Sequence, residues 1–353
     1  DFRIQKAITE ILEHKKVKEN LGKILISLAA TLGLTLLKRY CNGPVTHLTK
    51  DLTGKTIIVT GANDGLGLET SKQLLERGAT VIMACRNETK ANKAIQTLPD
   101  NIRSRAVYMN LDLASFESVK KFADEFKIKY PELHYLINNA GINNPTFEKT
   151  VDGVEQTLQI NLLSHMVLTD QLIDLLSKSS GRVVNLASSA HGYFKPTKGQ
   201  FAVAPKEYDF LEKKYDMVTS YGISKLGNIF FARYLNKTAK EKNWKITTCS
   251  IHPGVIATAF QKRFEGIYSI LWNLATPMNL FINKSLYHGV QTTLHCTLLE
   301  DKDLAGGEYY ADCGVKKGAP HVYDQEVYEN LISLSKGLIA LYGEKYGVGL
   351  KNL

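Results

Sequence analysis

A chain of 353 residues, 44% hydrophobic and 22% charged, has apolar material for one large domain with appendages and lacks the polar bias of a disordered protein. Its five cysteines, Cys41, Cys85, Cys249, Cys296 and Cys313, are odd in number and form no CxxC pair, which argues against a disulfide framework and a zinc site. The net charge is +9, but the first fifty positions hold nine basic residues against four acidic ones, and no aromatic-interleaved basic groove follows, so no nucleic-acid partner is expected.

Residues 1–50 read as an N-terminal helical extension. Ile24 to Leu37 carry no charge, and Leu21 and Gly22 extend the run across Lys23, whose stem can snorkel to a headgroup layer. Residues 21–37 are therefore the membrane-anchor candidate, since apolar side chains all round a helix leave no polar face for a soluble fold. Lysines flank the run on both sides, so charge gives no orientation. No small-residue cleavage site follows. The expectation is a membrane-associated protein of an organelle, in the endoplasmic reticulum or mitochondrial membrane, and not a secreted one.

From Leu52 onward short β-branched runs alternate with helical stretches, the pattern of repeated βα units on a parallel sheet. Strands are predicted at Thr56 to Thr60, Thr80 to Ala84, Arg105 to Asn110, Tyr135 to Asn138, Arg182 to Ala187, Lys245 to Ile251 and Glu308 to Ala311. Helices are predicted at Gly67 to Arg77, Phe116 to Lys129, Val154 to Ser177 and Ser220 to Lys242. The expected fold over residues 51–323 is α/β: a three-layer, doubly wound Rossmann domain with a seven-stranded parallel sheet. A last helix, about Gln325 to Tyr342 within residues 324–353, packs on it.

The first predicted strand runs into Thr60-Gly61-Ala62-Asn63-Asp64-Gly65-Leu66-Gly67 and then a helix. Gly61 permits a tight turn, Gly65 lets backbone approach a pyrophosphate, and Gly67 lets the helix lie close to the strand, with its amides facing phosphate. The second strand ends in Cys85-Arg86, with no acid to hold both ribose hydroxyls. Arg86 can instead donate two charge-assisted bonds to a 2′-phosphate, which predicts NADP(H). Asp112 and Leu113 after the third strand, and Asn139, Ala140 and Gly141 after the fourth, fall at carboxyl ends of strands, the crevice side of such a sheet; turn chemistry is the competing role for Asp112.

Tyr221 and Lys225 lie four apart at the start of a predicted helix and so share a face, where a lysine ammonium would favour the phenolate form of a tyrosine acid/base. The fifth strand delivers Ser188, or Ser189 in its place, to the same crevice, where a hydroxyl can hydrogen-bond a substrate carbonyl oxygen. Asn161, inside a predicted helix that asparagine does not favour, is a candidate to hold a water linking Lys225 to solvent.

The motifs TGANDGLG, ACRN, LDLAS, NNAG, NLASSAH, YGISKLGN, HPGVIAT and GGEYYADCG, in that order across about Leu52 to Gly314, resemble the short-chain dehydrogenase/reductase family and its retinol dehydrogenase-like branch. The resemblance implies that Ser188 aligns substrate, Tyr221 is the acid/base, Lys225 binds the nicotinamide ribose and Asn161 anchors a relay water. It also implies that Pro253, Gly254, Val255 and Thr258 line the nicotinamide, with Thr258 reaching its carboxamide. Two positions depart from the family pattern: Asp64 stands where Thr or Ser is usual, and Ala187 replaces the first of two serines. Aromatic residues between Ser188 and Tyr221 (Tyr193, Phe194, Phe201, Tyr208, Phe210, Tyr215) and after Thr258 (Phe260, Phe264, Tyr268, Trp272, Phe281) could wall an apolar pocket for a lipophilic, retinal-like substrate. The alternative is an accessory subunit of a membrane assembly that binds NADP(H) with little turnover.

Overall fold

The β-branched runs become strands where their pattern places them. In the computed structural model, which describes residues 2–208, 212, 215–256, 281 and 283–353, the strands are β1 (Thr56–Thr60), β2 (Thr80–Cys85), β3 (Ala106–Asn110), β4 (Tyr135–Asn138), β5 (Arg182–Leu186), β6 (Thr247–His252) and β7 (Tyr309–Ala311). These are the seven expected, all parallel to their neighbours. The sheet carries one strand more than expected. Asp312 and Cys313 both take positive φ (50° and 56°) and reverse the chain, so that β8 (Gly314–Val315) pairs antiparallel with β7. A type I′ two-residue turn needs φ > 0 at both positions and is usually signalled by Asn-Gly or Asp-Gly; Asp-Cys gives no such signal.

The strand order is β3-β2-β1-β4-β5-β6-β7-β8. Between them lie α2 (Gly65–Glu76), α3 (Glu88–Gln96), α4 (Asp100–Arg103), α5 (Phe116–Lys129), α6 (Gln156–Leu158), a π turn (Gln159–Leu163), α7 (Ser164–Lys178), α8 (Met217–Glu241), α9 (Leu286–Gly289), α10 (Gln291–Leu298) and α11 (Gln325–Gly343). Alternation along each strand separates two cores. Ile58, Ile82, Leu136 and Val183 face α5, α7, α8 and α11 through Phe122, Leu172, Phe230 and Leu338. Ile57, Val59, Val81, Met83, Ile137 and Val184 face α2, α3 and α10 through Leu74, Ala91 and Leu294. The chain thus winds away from β1 on one face and from β4 on the other, and the crevice between their carboxyl ends is the topological switch point.

Helix α1 (Phe2–Asn42) precedes the domain. Its stretch Lys23–Asn42 is long and apolar enough to cross a membrane, and none of it is buried in the protein. It meets the domain at its carboxyl end, where Lys38 Nζ donates to the carbonyls of Phe281 (2.8 Å) and Asn283 (2.7 Å). At the far end of the chain, Asp170 on α7 accepts the amides of Lys351, Asn352 and Leu353, and Leu353 is buried in the same core as α11.

Arg182 opens β5 as the largest fully buried side chain among the described residues. Its guanidinium donates to the carbonyls of Cys296 (2.5 Å) and Leu299 (2.8 Å) and to Asp301 (2.5 Å), and Nε donates to Thr247 Oγ1 (2.9 Å), so one side chain ties β5 to the exit of α10. Removing it strands buried carbonyls without donors. Arg182→Met should lower stability by about 3 kcal/mol, seen as a fall in Tm of several degrees, whereas Asp301→Asn should shift Tm far less.

Candidate active site

The turn from β1 to α2 is built by contacts too close for side chains. Gly61 has φ +64°, and a Cβ on Gly67 would stand 2.2 Å from the Gly61 carbonyl oxygen and 2.6 Å from Asn139 Nδ2, so α2 starts hard against the turn. A Cβ on Gly65 would meet nothing within 4 Å, so the space over the amino end of α2 is open to a ligand. The first amides of a helix have no intrahelical acceptor. Asp64 takes one of them: its carboxylate, exposed, accepts the Gly65 amide at 2.7 Å and caps the helix. The remaining amides of Leu66 and Gly67 form an anion-seeking surface that fits a pyrophosphate, with Asn63 beside it in the same turn.

Arg86 emerges at the carboxyl end of β2, exposed and without an ion pair among the described residues. Asp112, after β3, spends one oxygen on turn chemistry, accepting the Ala114 amide at 3.0 Å. Leu113 follows, its carbonyl held by Ser164 Oγ at 2.6 Å. Asn139 and Ala140 are fixed by a side chain the sequence reading passed over: Thr60 Oγ1 accepts both of their amides at 2.9 Å, while Asn139 Nδ2 donates back to the Thr60 carbonyl at 2.7 Å. Gly141 faces Asn161 Oδ1 and Lys225 Nζ, each 3.3 Å from where its Cβ would be.

Helix α8 begins where Asp216 accepts the Thr219 amide (2.8 Å), and this cap brings Tyr221 and Lys225 to one face. Ser188, just past the end of β5, sits beside Tyr221 and pulls its phenol down, whereas Ser189 starts a 3-10 turn, its amide donating to His252 Nδ1. Lys225 is buried, donates to the Leu186 carbonyl at 2.8 Å and lies 5.5 Å from the centroid of the Tyr221 ring. Burial pushes the Tyr221 phenol up to about 12, against the pull of Ser188, and pushes Lys225 down to about 7. A lysine charge one helical turn away would by itself favour phenolate. In the protein by itself desolvation outweighs that field, because the same dry surroundings that raise the phenol also suppress the ammonium.

Asn161 lies in the π turn and bridges three elements. Oδ1 accepts the Ile142 amide (2.8 Å) and Nδ2 donates to the Ile142 carbonyl (2.9 Å) and to Ser224 Oγ (3.0 Å). Its donors are spent on structure, which leaves one lone pair of Oδ1 for a water.

Pro253, Gly254 and Val255 follow β6 at the same edge. Gly254 has φ +90°, and its Cβ would come within 2.6 Å of the Lys284 stem, whose ammonium pairs with Asp312 at 2.6 Å. Lys284 also donates its amide to the Val255 carbonyl (2.8 Å), so a buried lysine that no motif marked holds this loop. Thr258, Phe210, Phe260, Phe264, Tyr268 and Trp272 lie outside the described residues. Of the aromatics between Ser188 and Tyr221, Tyr193 and Phe194 line an open groove of about 680 Å³, whereas Phe201, Tyr208 and Tyr215 belong to the core or pack against it.

The chain matches the short chain dehydrogenase family model over residues 55–202. Retinol dehydrogenase 12 of Bos taurus is 34% identical over 310 residues, covering 87% of this chain and 93% of that protein. The WW domain-containing oxidoreductase of Gallus gallus is 37% identical over 271 residues, 75% of this chain and 63% of the relative. A solved structure from Mycobacterium paratuberculosis, 27% identical, superposes with a TM-score of 0.64 over 84% of this chain and 97% of its own. With the crevice, the glycine turn and the Ser188, Tyr221 and Lys225 cluster assembled on one sheet edge, the chain belongs to the short-chain dehydrogenase/reductase family, in its retinol dehydrogenase-like branch, and is a nicotinamide-dependent oxidoreductase of alcohols and carbonyls.

Proposed function

We propose that this protein is an NADP(H)-dependent oxidoreductase that interconverts a lipophilic, retinal-like aldehyde or ketone and its alcohol at an organelle membrane, with Tyr221 as acid/base. The observation that carries this reading is the cluster of three groups at one point: Tyr221, the Ser188 hydroxyl that pulls its phenol down, and buried Lys225 one helical turn on, its Nζ 5.5 Å from the centre of the Tyr221 ring. Two hydroxyls then meet at one point of the crevice, where a carbonyl oxygen can receive both. In reduction Tyr221 Oη gives its proton to that oxygen while Ser188 Oγ donates a hydrogen bond to the charge developing there. In oxidation the proton returns along the same line. The bound cofactor supplies or accepts the hydride. The Leu186 carbonyl keeps Lys225 beside this point, and Pro253, Gly254, Val255 and Thr258 are proposed to face the nicotinamide.

Arg86 supports NADP(H) because a free guanidinium at the end of β2 is suited to a 2′-phosphate that a carboxylate there would repel. A lipophilic substrate is supported by relatives named retinol dehydrogenase and by the place where α1 joins the domain. Lys38 fastens it to Phe281 and Asn283, next to Lys284 and the loop after β6. A substrate dissolved in the bilayer would then have a short path to the crevice. The endoplasmic reticulum and mitochondrial membranes are the proposed settings.

The full chain in detergent should oxidise NADPH in the presence of retinal or another long-chain lipophilic carbonyl. Tyr221→Phe should lower kcat about a thousandfold while NADPH affinity, read by fluorescence titration, stays within about twofold. NADPH binding without turnover of any lipophilic carbonyl in wild type would replace this reading with the accessory-subunit one. Arg86→Ala should raise KM for NADPH about tenfold and leave KM for NADH nearly unchanged; equal effects on both would contradict the assignment of the 2′-phosphate site.

A further inference from the structure

Ser188 leaves β5 in extended backbone (φ −162°, ψ 156°) and enters a single 3-10 turn, Ser189–Gly192. So short a turn does not hold its own position. Three imidazoles fasten it. His191 Nδ1 lies 2.5 Å from the Ser188 carbonyl oxygen, and its Nε2 accepts the Ala319 amide at 3.0 Å. His321 Nε2 reaches the His191 carbonyl at 2.7 Å, and His252 Nδ1 accepts the Ser189 amide.

These contacts fix the state of the His191 ring. A carbonyl can only accept, so Nδ1 carries a hydrogen; a backbone amide can only donate, so Nε2 carries none. The ring is therefore neutral, protonated at Nδ1, and is 4% exposed. It bridges the backbone of Ser188 to the loop before the 3-10 turn Pro320–Tyr323. The loop leaves room for this bridge, since a Cβ on Gly318 would stand 2.8 Å from Val322 Cγ2 and 3.2 Å from Nε2.

We propose that His191 is a positioning residue for Ser188, and that protonation of its ring sets the acid limit of turnover. This rests on the reading of Ser188 and Tyr221 given above. A proton on Nε2 would set N–H against the Ala319 N–H, breaking the link from the loop to the Ser188 backbone. The groups that face His191 are His321 from the 320–323 turn, the Tyr309 ring from β7 at 5.2 Å, His252 from β6, and Tyr193 beside it on its own turn, with the Lys284–Asp312 pair beyond His252. No carboxylate among the described residues touches the ring to stabilise its cation. Burial first, and the neighbouring His321 charge, hold His191 below its ordinary value, opposed by the bond to Ser188. Burial pushes His252 down as well, to about 4.

The test is kcat and KM for NADPH between pH 5 and 9, in wild type, His191→Asn, Gly318→Ala and Tyr221→Phe. Wild-type kcat should fall on the acid side with a midpoint below the ordinary histidine value. In His191→Asn the shorter side-chain amide could still donate to Ser188 but could not accept from Ala319. This variant should therefore lose about tenfold in kcat at pH 7.5, keep KM for NADPH within twofold, and lose the acid limb. Gly318→Ala, whose Cβ would press on the Val322 side chain at 2.8 Å and on the ring at 3.2 Å, should lower kcat and leave KM unchanged. A wild-type kcat that is flat to pH 5, a His191→Asn profile superimposable on wild type, or Gly318→Ala with unaltered kcat would overturn the proposal. The wild-type profile decides even if a variant fails to fold. Loss of turnover in Tyr221→Phe alongside normal activity in His191→Asn would sink the His191 role alone; turnover retained in Tyr221→Phe would sink the reading of the site and this proposal with it.

Discussion

The site depends on how closely the carboxyl ends of β1 and β4 approach each other at Thr60. One hydroxyl there accepts two amides from the chain leaving β4 and contacts His165 Nε2 at 2.9 Å. His165, fully buried and held neutral by desolvation, extends the link from its other nitrogen to the Asn161 carbonyl. From Asn161 the bonding continues to Ile142 and to Ser224 on α8, the helix that bears Tyr221 and Lys225. The turn that would hold pyrophosphate and the helix that bears Tyr221 and Lys225 are therefore set against each other through a short run of hydrogen bonds. The absence of a side chain at Gly67 is a condition of the whole arrangement, because any Cβ there would force α2 away from Gly61 and Asn139.

Dryness is the second theme. Desolvation is the first cause of each large shift around the crevice: Tyr221 up to about 12, Lys225 down to about 7, His165 and His252 down to about 4. The groups lining the site are thus predominantly neutral, and fixed dipoles rather than mobile charges meet whatever charge develops in the reaction proposed. The Lys284–Asp312 pair stands apart from this. It holds the loop after β6 and the β7–β8 turn, near the point where Lys38 secures α1. The part of the protein suited to a membrane and the part suited to a nicotinamide ring therefore share one anchoring region.

Much of this was legible in the sequence because it rests on local rules. Buried parallel strands read as β-branched runs, the glycine turn reads from its spacing, and Tyr221 and Lys225 read from helical periodicity. What stayed hidden depends on partners distant in sequence. Nothing near Thr60 announces that it will bind Asn139, and nothing near Lys284 announces Asp312. The short helices α3, α4 and α9 escaped because each buries too few residues to show a period, α3 only Ala91 and Ala94, whereas α10 is buried on nearly every side and shows no polar face. The different surroundings of Ser188 and Ser189 depend on the path of the turn, and the suppressed charge of Lys225 depends on its burial. His191 was visible within NLASSAH, yet its role follows only from a loop more than a hundred residues away.

The account is tested most directly by following the hydride itself. With NADPH carrying deuterium at the transferable position and retinal as acceptor, a single turnover by the full chain should place one deuterium on the carbinol carbon of the product, detected as a one-unit mass increase. Tyr221→Phe should give none on the same timescale despite binding the labelled cofactor. Product with no label, or label transfer undiminished in Tyr221→Phe, would contradict the central claim that the Ser188 and Tyr221 hydroxyls act together on a carbonyl beside the nicotinamide.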